Sequence, residues 1–274
     1  MILTVSGDNS IVSFALFEKG QEPHCAAPLS VFRVAAVPLR TADEYAVLLS
    51  SMIDRLPEKP TVQIAMIASV VPALTQELCR AIKLLLPQTA CLTLGAGLRS
   101  GLTIRTETPA DVGADLVAMA AGAAALQKPP FLVLHCGAVT TLSAIGEEKN
   151  GPAFLGCSIL PGPSLGLDAL KNRAALLPTV LLSRPRRAIG STTGDSIRSG
   201  LLLGHAAAIK GLIAHFEREL GGEKMPVIAT GEEAELLLPL LEHDIRFDEQ
   251  LTHRGLYRLA LLNSKKSGNP PKRG

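Results

Sequence analysis

Two glycine-bearing polar turns lie between apolar, strand-forming runs, one near the start of the chain and one near its middle. Residues 6–10 read Ser-Gly-Asp-Asn-Ser and separate apolar runs at residues 3–5 and 11–17. Residues 135–139 read His-Cys-Gly-Ala-Val and separate residues 131–134 from 140–145. Gly, Asn, Asp and Ser favour tight turns. The repeated pattern therefore indicates two similar α/β lobes, with a ligand site in the cleft between them.

Two side chains in these turns have chemical roles to weigh against structural ones. His135 has an imidazole that could act as a general base. A histidine satisfied by hydrogen bonding at a strand end is the more common arrangement, and we prefer that interpretation. Asp8 carries a carboxylate that could bind a cation, but Asp in a short turn ordinarily accepts hydrogen bonds from its own backbone.

The segments between the turns are predicted to be mostly helical, so that β and α elements alternate. Thr41 and Glu44 have the spacing of a capping box ahead of an apolar run, which predicts the start of a helix. Further helices are predicted over residues 73–85, 109–127, 164–177, 193–220, 232–241 and 252–263, and buried strands over 62–67 and 227–229. Residues 264–274 are basic and rich in Pro and Gly, and we expect them to be a disordered tail.

Length and composition limit the class of protein. The chain has 274 residues, and 47% of them are hydrophobic, which is ample for a buried core. A formal net charge of +2 and an aromatic fraction of 3% argue against nucleic acid as the main partner. The longest apolar stretch is shorter than the ~20 residues of a membrane span, and the first residues lack a signal-peptide pattern. We expect a cytoplasmic protein with no membrane partner, whose five widely spaced cysteines are reduced and mostly buried.

Several segments, taken in order, resemble the type III pantothenate kinase family, the bacterial enzymes that phosphorylate pantothenate with ATP in coenzyme A synthesis. They are residues 40–45, 68–75, 109–115 and 160–162, followed by residues 251–256. Each segment is short, but their ordered spacing covers nearly the whole chain. On these segments the chain is identified as a member of that family.

The resemblance implies a duplicated α/β fold of two ribonuclease-H-like lobes, as in the actin and sugar-kinase ATPase superfamily. We expect an N-terminal lobe over residues 1–128 and a C-terminal lobe over residues 129–263. The resemblance also implies a homodimer that binds pantothenate, with ATP, Mg²⁺ and K⁺ as the family's cofactors.

The first turn departs from the family pattern Asp-x-Gly-Asn-Thr, whose Asp helps to hold Mg²⁺ and whose Gly lets the phosphates approach. Ser6 stands in place of the Asp, and Asp8 stands in place of the Gly. A hydroxyl is a weaker Mg²⁺ ligand than a carboxylate, and Asp8 adds bulk and negative charge where polyphosphate should lie. Ser6, Asp8, Asn9 and Ser10 are nevertheless the expected nucleotide-binding residues of this turn.

The second turn departs from the family pattern Asp-x-Gly-Thr-Ala-Thr-Thr. His135 replaces the Asp of the K⁺ site, and imidazole suits a hard cation poorly. Gly137 and Thr140 match the pattern and are the expected nucleotide-binding residues here. Glu232 replaces the last Gly of the family's Ala-Thr-Gly-Gly and would crowd or repel a nucleotide.

The family's Gly-x-Asp-Arg motif corresponds here to Gly113-Ala114-Asp115-Leu116. Asp115 is the expected catalytic base for the pantothenate hydroxyl, and Gly113 and Ala114 are expected beside it in the substrate site. Leu116 lacks the charge of the arginine that it replaces. The structural alternative for Asp115 is a carboxylate stabilised by a helix dipole. Thr193 is expected to contact pantothenate, or else to cap the helix that follows it.

Five residues differ from the family pattern, and each difference is expected to weaken metal or nucleotide binding. They are Ser6, Asp8, Leu116, His135 and Glu232. Loss of one magnesium carboxylate alone is worth several kcal/mol in the transition state. The favoured hypothesis is a kinase-like protein with weakened or lost phosphotransfer, acting as a binding or regulatory dimer or as half of a heteromer. One alternative is an active pantothenate kinase with Asp115 as base and an altered metal site that uses Asp8 or Asp111, and another is a scaffold with no small-molecule pocket.

Overall fold

The computed structural model describes residues 1–57, 61–95, 97–173 and 177–264. The predicted tail, from residue 265 onward, and residues 174–176 of the predicted helix 164–177 lie outside the described residues. Within those ranges the chain alternates strands with helices, as the sequence predicts.

The first sheet contains five strands, all from the first 93 residues. They are β1 (Ile2–Gly7), β2 (Ile11–Phe17), β3 (Ser30–Ala35), β4 (Ile64–Ser69) and β5 (Ala90–Thr93). Their order is β3-β2-β1-β4-β5, in which β2 is antiparallel to both β1 and β3, and β4 and β5 run parallel to β1. The helices of this region are α1 (Ala42–Ile53), α2 (Pro72–Leu85) and α3 (Ala114–Leu126).

The second sheet contains six strands. They are β6 (Thr103–Ile104), β7 (Phe131–His135), β8 (Val139–Glu148), β9 (Gly151–Pro161), β10 (Val227–Thr230) and β11 (Ile245–Phe247), in the order β11-β10-β7-β8-β9-β6. The α-helices that follow β9 in the chain are α4 (Pro163–Arg173), α5 (Thr193–Glu219), α6 (Ala234–Leu237) and α7 (Leu251–Asn263). Without β6, the order β9-β8-β7-β10-β11 repeats that of the first sheet, so the predicted duplication is confirmed.

Local chemistry explains where several elements begin. Thr41 Oγ1 accepts from the Glu44 amide at 3.4 Å, and Glu44 Oε2 accepts from the Thr41 amide at 2.8 Å, so the capping box of α1 is confirmed. The helix predicted over residues 232–241 is interrupted: α6 is followed by a 3₁₀ turn that contains Pro239. Proline has no amide hydrogen to continue an α-helix, which explains the break.

The helix predicted over residues 109–127 is divided as well. A 3₁₀ turn spans Pro109–Asp111, and α3 begins only after Val112, whose backbone is extended. Gly113 is the N-cap residue of α3. The division places Asp115 in the first turn of a helix, rather than in its middle.

The described chain forms two compact units. Unit 1 contains residues 1–128, 148–154 and those from 250 onward, and unit 2 contains residues 129–147 and 155–249. The units therefore do not follow the chain as two successive halves, because α7 packs in unit 1. There it shares a core with β1, β4 and α3.

Helices α3 and α7 cross at glycines. A Cβ atom on Gly255 would lie 2.7 Å from the carbonyl carbon of Ala118 and 2.9 Å from the amide nitrogen of Gly122. Both are closer than real Cβ contacts, so only glycine permits this backbone approach. The crossing fixes the helix whose first turn carries Asp115.

The cysteines differ in part from the prediction. All five are free thiols, but only Cys136 is buried, Cys25 is exposed, and the other three are partly buried. The prediction that they are mostly buried is wrong.

Among the described residues, α5 is long and apolar enough to cross a membrane by length and composition. Core helices of soluble proteins also pass this test.

Candidate functional site

The first turn is closed by the side chain of Asp8. Its Oδ1 accepts hydrogen bonds from the amides of Ser10, at 2.6 Å, and Ile11, at 2.8 Å. The Asp8 amide in turn donates to the carbonyl of Ile11 at 3.0 Å. The predicted bonding of Asp8 to its own backbone is therefore confirmed. One carboxylate oxygen is thus already engaged within the turn.

The other residues of this turn lie beside Asp8, as β1 and β2 require. Ser6 is partly buried and pairs with Ser13 of β2 and Ala68 of β4, whereas Asn9 and Ser10 are exposed. The structure thus brings the four predicted nucleotide-binding residues of the first turn together. Their contact with a nucleotide stays a prediction.

The start of α3 lies at the same edge of the first sheet as this turn. The Val70 amide donates to the carbonyl of Gly7 at 3.4 Å, and Val70 Cγ1 lies 3.7 Å from the position of a Cβ on Gly113. Asp115 is partly buried, and its carboxylate folds back over Gly113, where a Cβ would collide with Oδ1. A side chain at position 113 would force the Asp115 carboxylate to move.

The position of the Asp115 carboxylate also fits the structural interpretation, in which a helix dipole stabilises its charge. It lies in the first turn of α3, where the positive end of the helix dipole favours a negative charge. The next residue, Leu116, is buried and has no charge to present to a ligand. Both the catalytic and the structural interpretation of Asp115 fit this geometry.

In unit 2, the second turn is covered by two side chains. A Cβ placed on Gly137 would lie 2.7 Å from His135 Cε1 and 3.1 Å from Glu232 Oε1. His135 Nδ1 is 3.2 Å from the carbonyl oxygen of Val139, so the prediction of a histidine hydrogen-bonded at a strand end is confirmed. The imidazole and the Glu232 carboxylate thus occupy the space over the glycine.

Two more glycines bring neighbouring backbone against this turn. The Gly162 amide donates to the Ala138 carbonyl at 2.7 Å, and a Cβ on Gly162 would lie 2.9 Å from that oxygen. Gly231 has φ = 110°, in the left-handed region, and a Cβ there would lie 2.7 Å from the Cys136 carbonyl carbon. The second turn is therefore held by backbone from the starts of α4 and α6.

Glu233 is a residue of this region that the sequence did not single out. Its side chain is buried, its Oε1 accepts from the Ser164 amide at 3.3 Å, and its Oε2 has no hydrogen-bond partner in the described residues. Burial raises the pKa of Glu233, the Ser164 bond opposes that shift, and the nearby charge of Glu232 adds to it. Two acidic side chains therefore stand beside the second turn.

Thr140 lies in the core of unit 2. It is fully buried, and its Oγ1 is 2.9 Å from His205 Nε2 on α5. Burial lowers the pKa of His205, which favours the neutral ring. The Thr140 hydroxyl is thus engaged in the core of unit 2, and a nucleotide contact through it stays a prediction.

Thr193 is exposed and is the first residue of α5. The N-cap is Thr192 instead, whose Oγ1 accepts from the Asp195 amide at 3.1 Å and donates to Asp195 Oδ2 at 2.8 Å. The prediction that Thr193 caps the helix is therefore wrong by one residue. The cap position was ambiguous because two threonines adjoin at the helix start.

The arrangement of acidic and metal-binding side chains bears on cofactors. Among the described residues, no group of three or more His, Cys, Asp and Glu side chains is arranged to hold a metal ion. Asp8 and Asp115 are the carboxylates near the first sheet edge, and Glu232 and Glu233 are those near the second turn.

Comparison with known proteins shows which family the chain matches. The family model for type III pantothenate kinase matches residues 2–215. A type III pantothenate kinase of Thermus thermophilus is 36% identical over 263 residues, covering 95% of this chain and 99% of the relative. One from Moorella thermoacetica is 35% identical over 257 residues, covering 93% of this chain and 97% of the relative.

Solved structures support the fold alone. A glucokinase from an Antarctic psychrotroph has a TM-score of 0.51 at 10% identity, covering 96% of this chain and 98% of its own. Component A of (R)-2-hydroxyglutaryl-CoA dehydratase from Acidaminococcus fermentans has a TM-score of 0.52 at 13% identity, covering 98% and 99%. The fold is that of the actin and sugar-kinase ATPases. With a family model over most of the chain and relatives of full length, the chain belongs to the type III pantothenate kinase family.

Proposed function

We propose that this chain is a pantothenate kinase-family protein with weakened or lost ATP:pantothenate phosphotransfer, which acts in the cytoplasm as a binding or regulatory dimer. The observation that carries the proposal is the second turn, where Glu232 and His135 occupy the space over Gly137. Gly137 is an expected nucleotide-binding residue of this turn. A carboxylate there puts negative charge where negative phosphate would have to lie.

The first turn also supports the proposal, because its residues are poor ligands for Mg²⁺. Mg²⁺ needs oxygen ligands in near-octahedral geometry and is bound through carboxylates in kinases. Ser6 offers a hydroxyl only, and Asp8 Oδ1 is engaged by two backbone amides. The residues of the first turn therefore fit Mg²⁺ poorly.

The size of the electrostatic effect can be bounded. Two unit charges ~4 Å apart repel by about 1 kcal/mol in water and about 4 kcal/mol near a partly shielded protein surface. Glu232 is exposed, so the lower value applies to it. Repulsion from Glu232 alone would weaken ATP about fivefold, and the missing magnesium carboxylate adds several kcal/mol in the transition state.

The second candidate function is an active pantothenate kinase with an altered metal site. The observation that favours it is Asp115, which is retained at the start of α3, partly buried and next to Gly113. In that case Asp115 accepts the proton of the pantothenate hydroxyl, and Asp8 Oδ2 contributes to a metal site.

A steady-state assay separates the two candidates. The purified chain is incubated with ATP, Mg²⁺, a potassium salt and pantothenate, with the Thermus thermophilus relative as positive control. We expect turnover far below that of the relative, or none. Turnover equal to that of the relative and abolished by Asp115→Asn would overturn the proposal in favour of the active kinase.

Calorimetry and sedimentation test the remaining parts. A binding protein gives heat on titration with pantothenate, whereas a scaffold without a small-molecule pocket gives none. Sedimentation equilibrium tests the dimer, which we expect at micromolar concentration. A monomer at all concentrations would contradict the dimer and leave the turnover result unaffected.

A further inference from the structure

Two cysteines that lie 12 positions apart in the sequence meet in unit 1. Cys79 is on α2 and Cys91 is on β5, and their sulfur atoms are 3.9 Å apart, with Cys91 donating its thiol hydrogen to Cys79. Thr93 is also on β5, and its Oγ1 lies 3.6 Å from the Cys79 sulfur. Neither residue belongs to the turns described above.

The surroundings of the pair favour a thiolate at Cys79. Hydrogen bonding from Cys91 lowers the pKa of Cys79 to about 6, with smaller contributions from Thr93 and the positive charge of Lys83, while burial opposes the shift. The same hydrogen bond and burial raise the pKa of Cys91. At neutral pH, one sulfur is therefore a nucleophile, and the other holds its proton beside it.

Cys79 and Cys91 are both partly exposed residues, and so is Cys157. The remaining two cysteines differ. Cys136 is buried, and burial raises its pKa to about 12, whereas Cys25 is exposed and donates to the carbonyl of Glu22. An accessible thiolate next to a second thiol is the arrangement found in redox-sensing cysteine pairs.

We propose that Cys79 and Cys91 are a peroxide-reactive thiol pair that closes to a reversible disulfide between α2 and β5. The proposal does not depend on whether the chain has kinase activity. Reducing conditions inside cells make lasting disulfides rare, and the pairs that do form there are usually transient and redox-sensing. The distance between the sulfurs must shorten by about 1.8 Å to reach a disulfide bond of ~2.05 Å.

The chemistry takes two steps with hydrogen peroxide as the oxidant. The Cys79 thiolate attacks one peroxide oxygen, a sulfur–oxygen bond forms, the oxygen–oxygen bond breaks, and hydroxide leaves to take up a proton as water. Cys91, having lost its proton to solvent, then attacks the Cys79 sulfur and displaces the second hydroxide, which also leaves as water. Two thiols and one peroxide thus give one disulfide and two waters, and a dithiol reductant reverses the product.

Peptide mapping tests the proposal on the native full chain. Trypsin cleaves after Arg80 and after Lys83, so Cys79 and Cys91 fall in different peptides. After treatment with one equivalent of hydrogen peroxide and alkylation, we expect a disulfide-linked pair of these peptides that dithiothreitol separates. Thiols titrated in denaturant should fall from five to three. Cys25 serves as the internal control for exposure and should stay reduced.

Variants test the role of each sulfur. In Cys91→Ala, Cys79 should stop at the sulfenic acid, which a 1,3-dione reagent labels, and no linked peptide should form. The pH at which iodoacetamide labels Cys79 at half its maximal rate should be about 6 in the native chain and higher in Cys91→Ala. Should the variant fail to fold, the mapping of the native chain still decides.

Three results would overturn the proposal. One is the absence of a linked peptide when Cys25 is already oxidised. Another is over-oxidation of Cys79 with Cys91 left as a thiol. The third is a half-maximal labelling pH for Cys79 that does not change on removal of the Cys91 sulfur.

Discussion

The crossing of α3 and α7 makes the most quantitative prediction. The change is Gly255→Ala, which adds a Cβ atom 2.7 Å from the Ala118 carbonyl carbon and 2.9 Å from the Gly122 amide nitrogen. It would also collide with the Ala118 carbonyl oxygen. All three neighbours are backbone atoms, so no side-chain rotation relieves the contact, and the two helices must move apart.

The expected cost follows from two opposing effects. Overpacking of a tightly packed core costs about 1–3 kcal/mol and occasionally more. Replacing glycine by alanine inside a helix returns about 1 kcal/mol. With a contact wholly against backbone, we take the upper end and expect a net loss of about 2 kcal/mol. For a chain of this size, that lowers Tm by about 4–8 °C.

A matched control uses the same substitution where there is room. Gly211 is exposed within α5, and a Cβ there would meet nothing within 4 Å. Gly211→Ala should raise the free energy of unfolding by about 1 kcal/mol. The assay is differential scanning calorimetry of both variants at one protein concentration. Equal Tm changes for Gly255→Ala and Gly211→Ala would refute the close crossing of α3 and α7.

Three further substitutions test the structure elsewhere. Thr41→Ala removes the side-chain acceptor for the Glu44 amide and should lower the urea-derived free energy of unfolding by about 1 kcal/mol. Burial lowers the pKa of His253 to about 3, so the unfolded chain takes up a proton below pH ~6.5 while the folded chain does not. Stability should therefore fall by about 1.4 kcal/mol per pH unit below that pH, and His253→Gln should flatten this part of the profile. Burial raises the pKa of Glu233, so its contribution to stability is lost as pH rises above the unfolded value. Glu233→Gln should raise Tm at pH 7 more than at pH 4, and the reverse order would contradict the burial of this carboxylate.

The duplicated fold could be predicted because its signals are local. Each hairpin at the heart of a lobe has turn residues between apolar runs, and the capping box of α1 lies within four residues. Strands β3, β5, β6, β9 and β11 were not predicted. Most of them have partly exposed residues in irregular alternation, and their pairing depends on distant partners that no local pattern encodes.

The candidate site also has some features that the sequence predicted and others that it did not. The self-bonding of Asp8 and the strand-end bonding of His135 follow from short-range geometry, and both were predicted. Glu233 was missed because its burial depends on the approach of Ser164 from 69 positions earlier in the chain. The pairing of Cys79 with Cys91 was missed because the five cysteines are widely spaced in the sequence. Only the packing of α2 against the first sheet brings the two sulfurs together.

The central claim is that carboxylates and missing ligands at the two turns exclude Mg²⁺-bound ATP. Its most direct test is calorimetric titration of ATP with Mg²⁺ into the native chain and into the triple variant Ser6→Asp, Asp8→Gly, Glu232→Gly, which restores the family's residues. The account predicts that the native chain binds ATP at least about fivefold more weakly than the triple variant does. Micromolar binding of ATP to the native chain would contradict it.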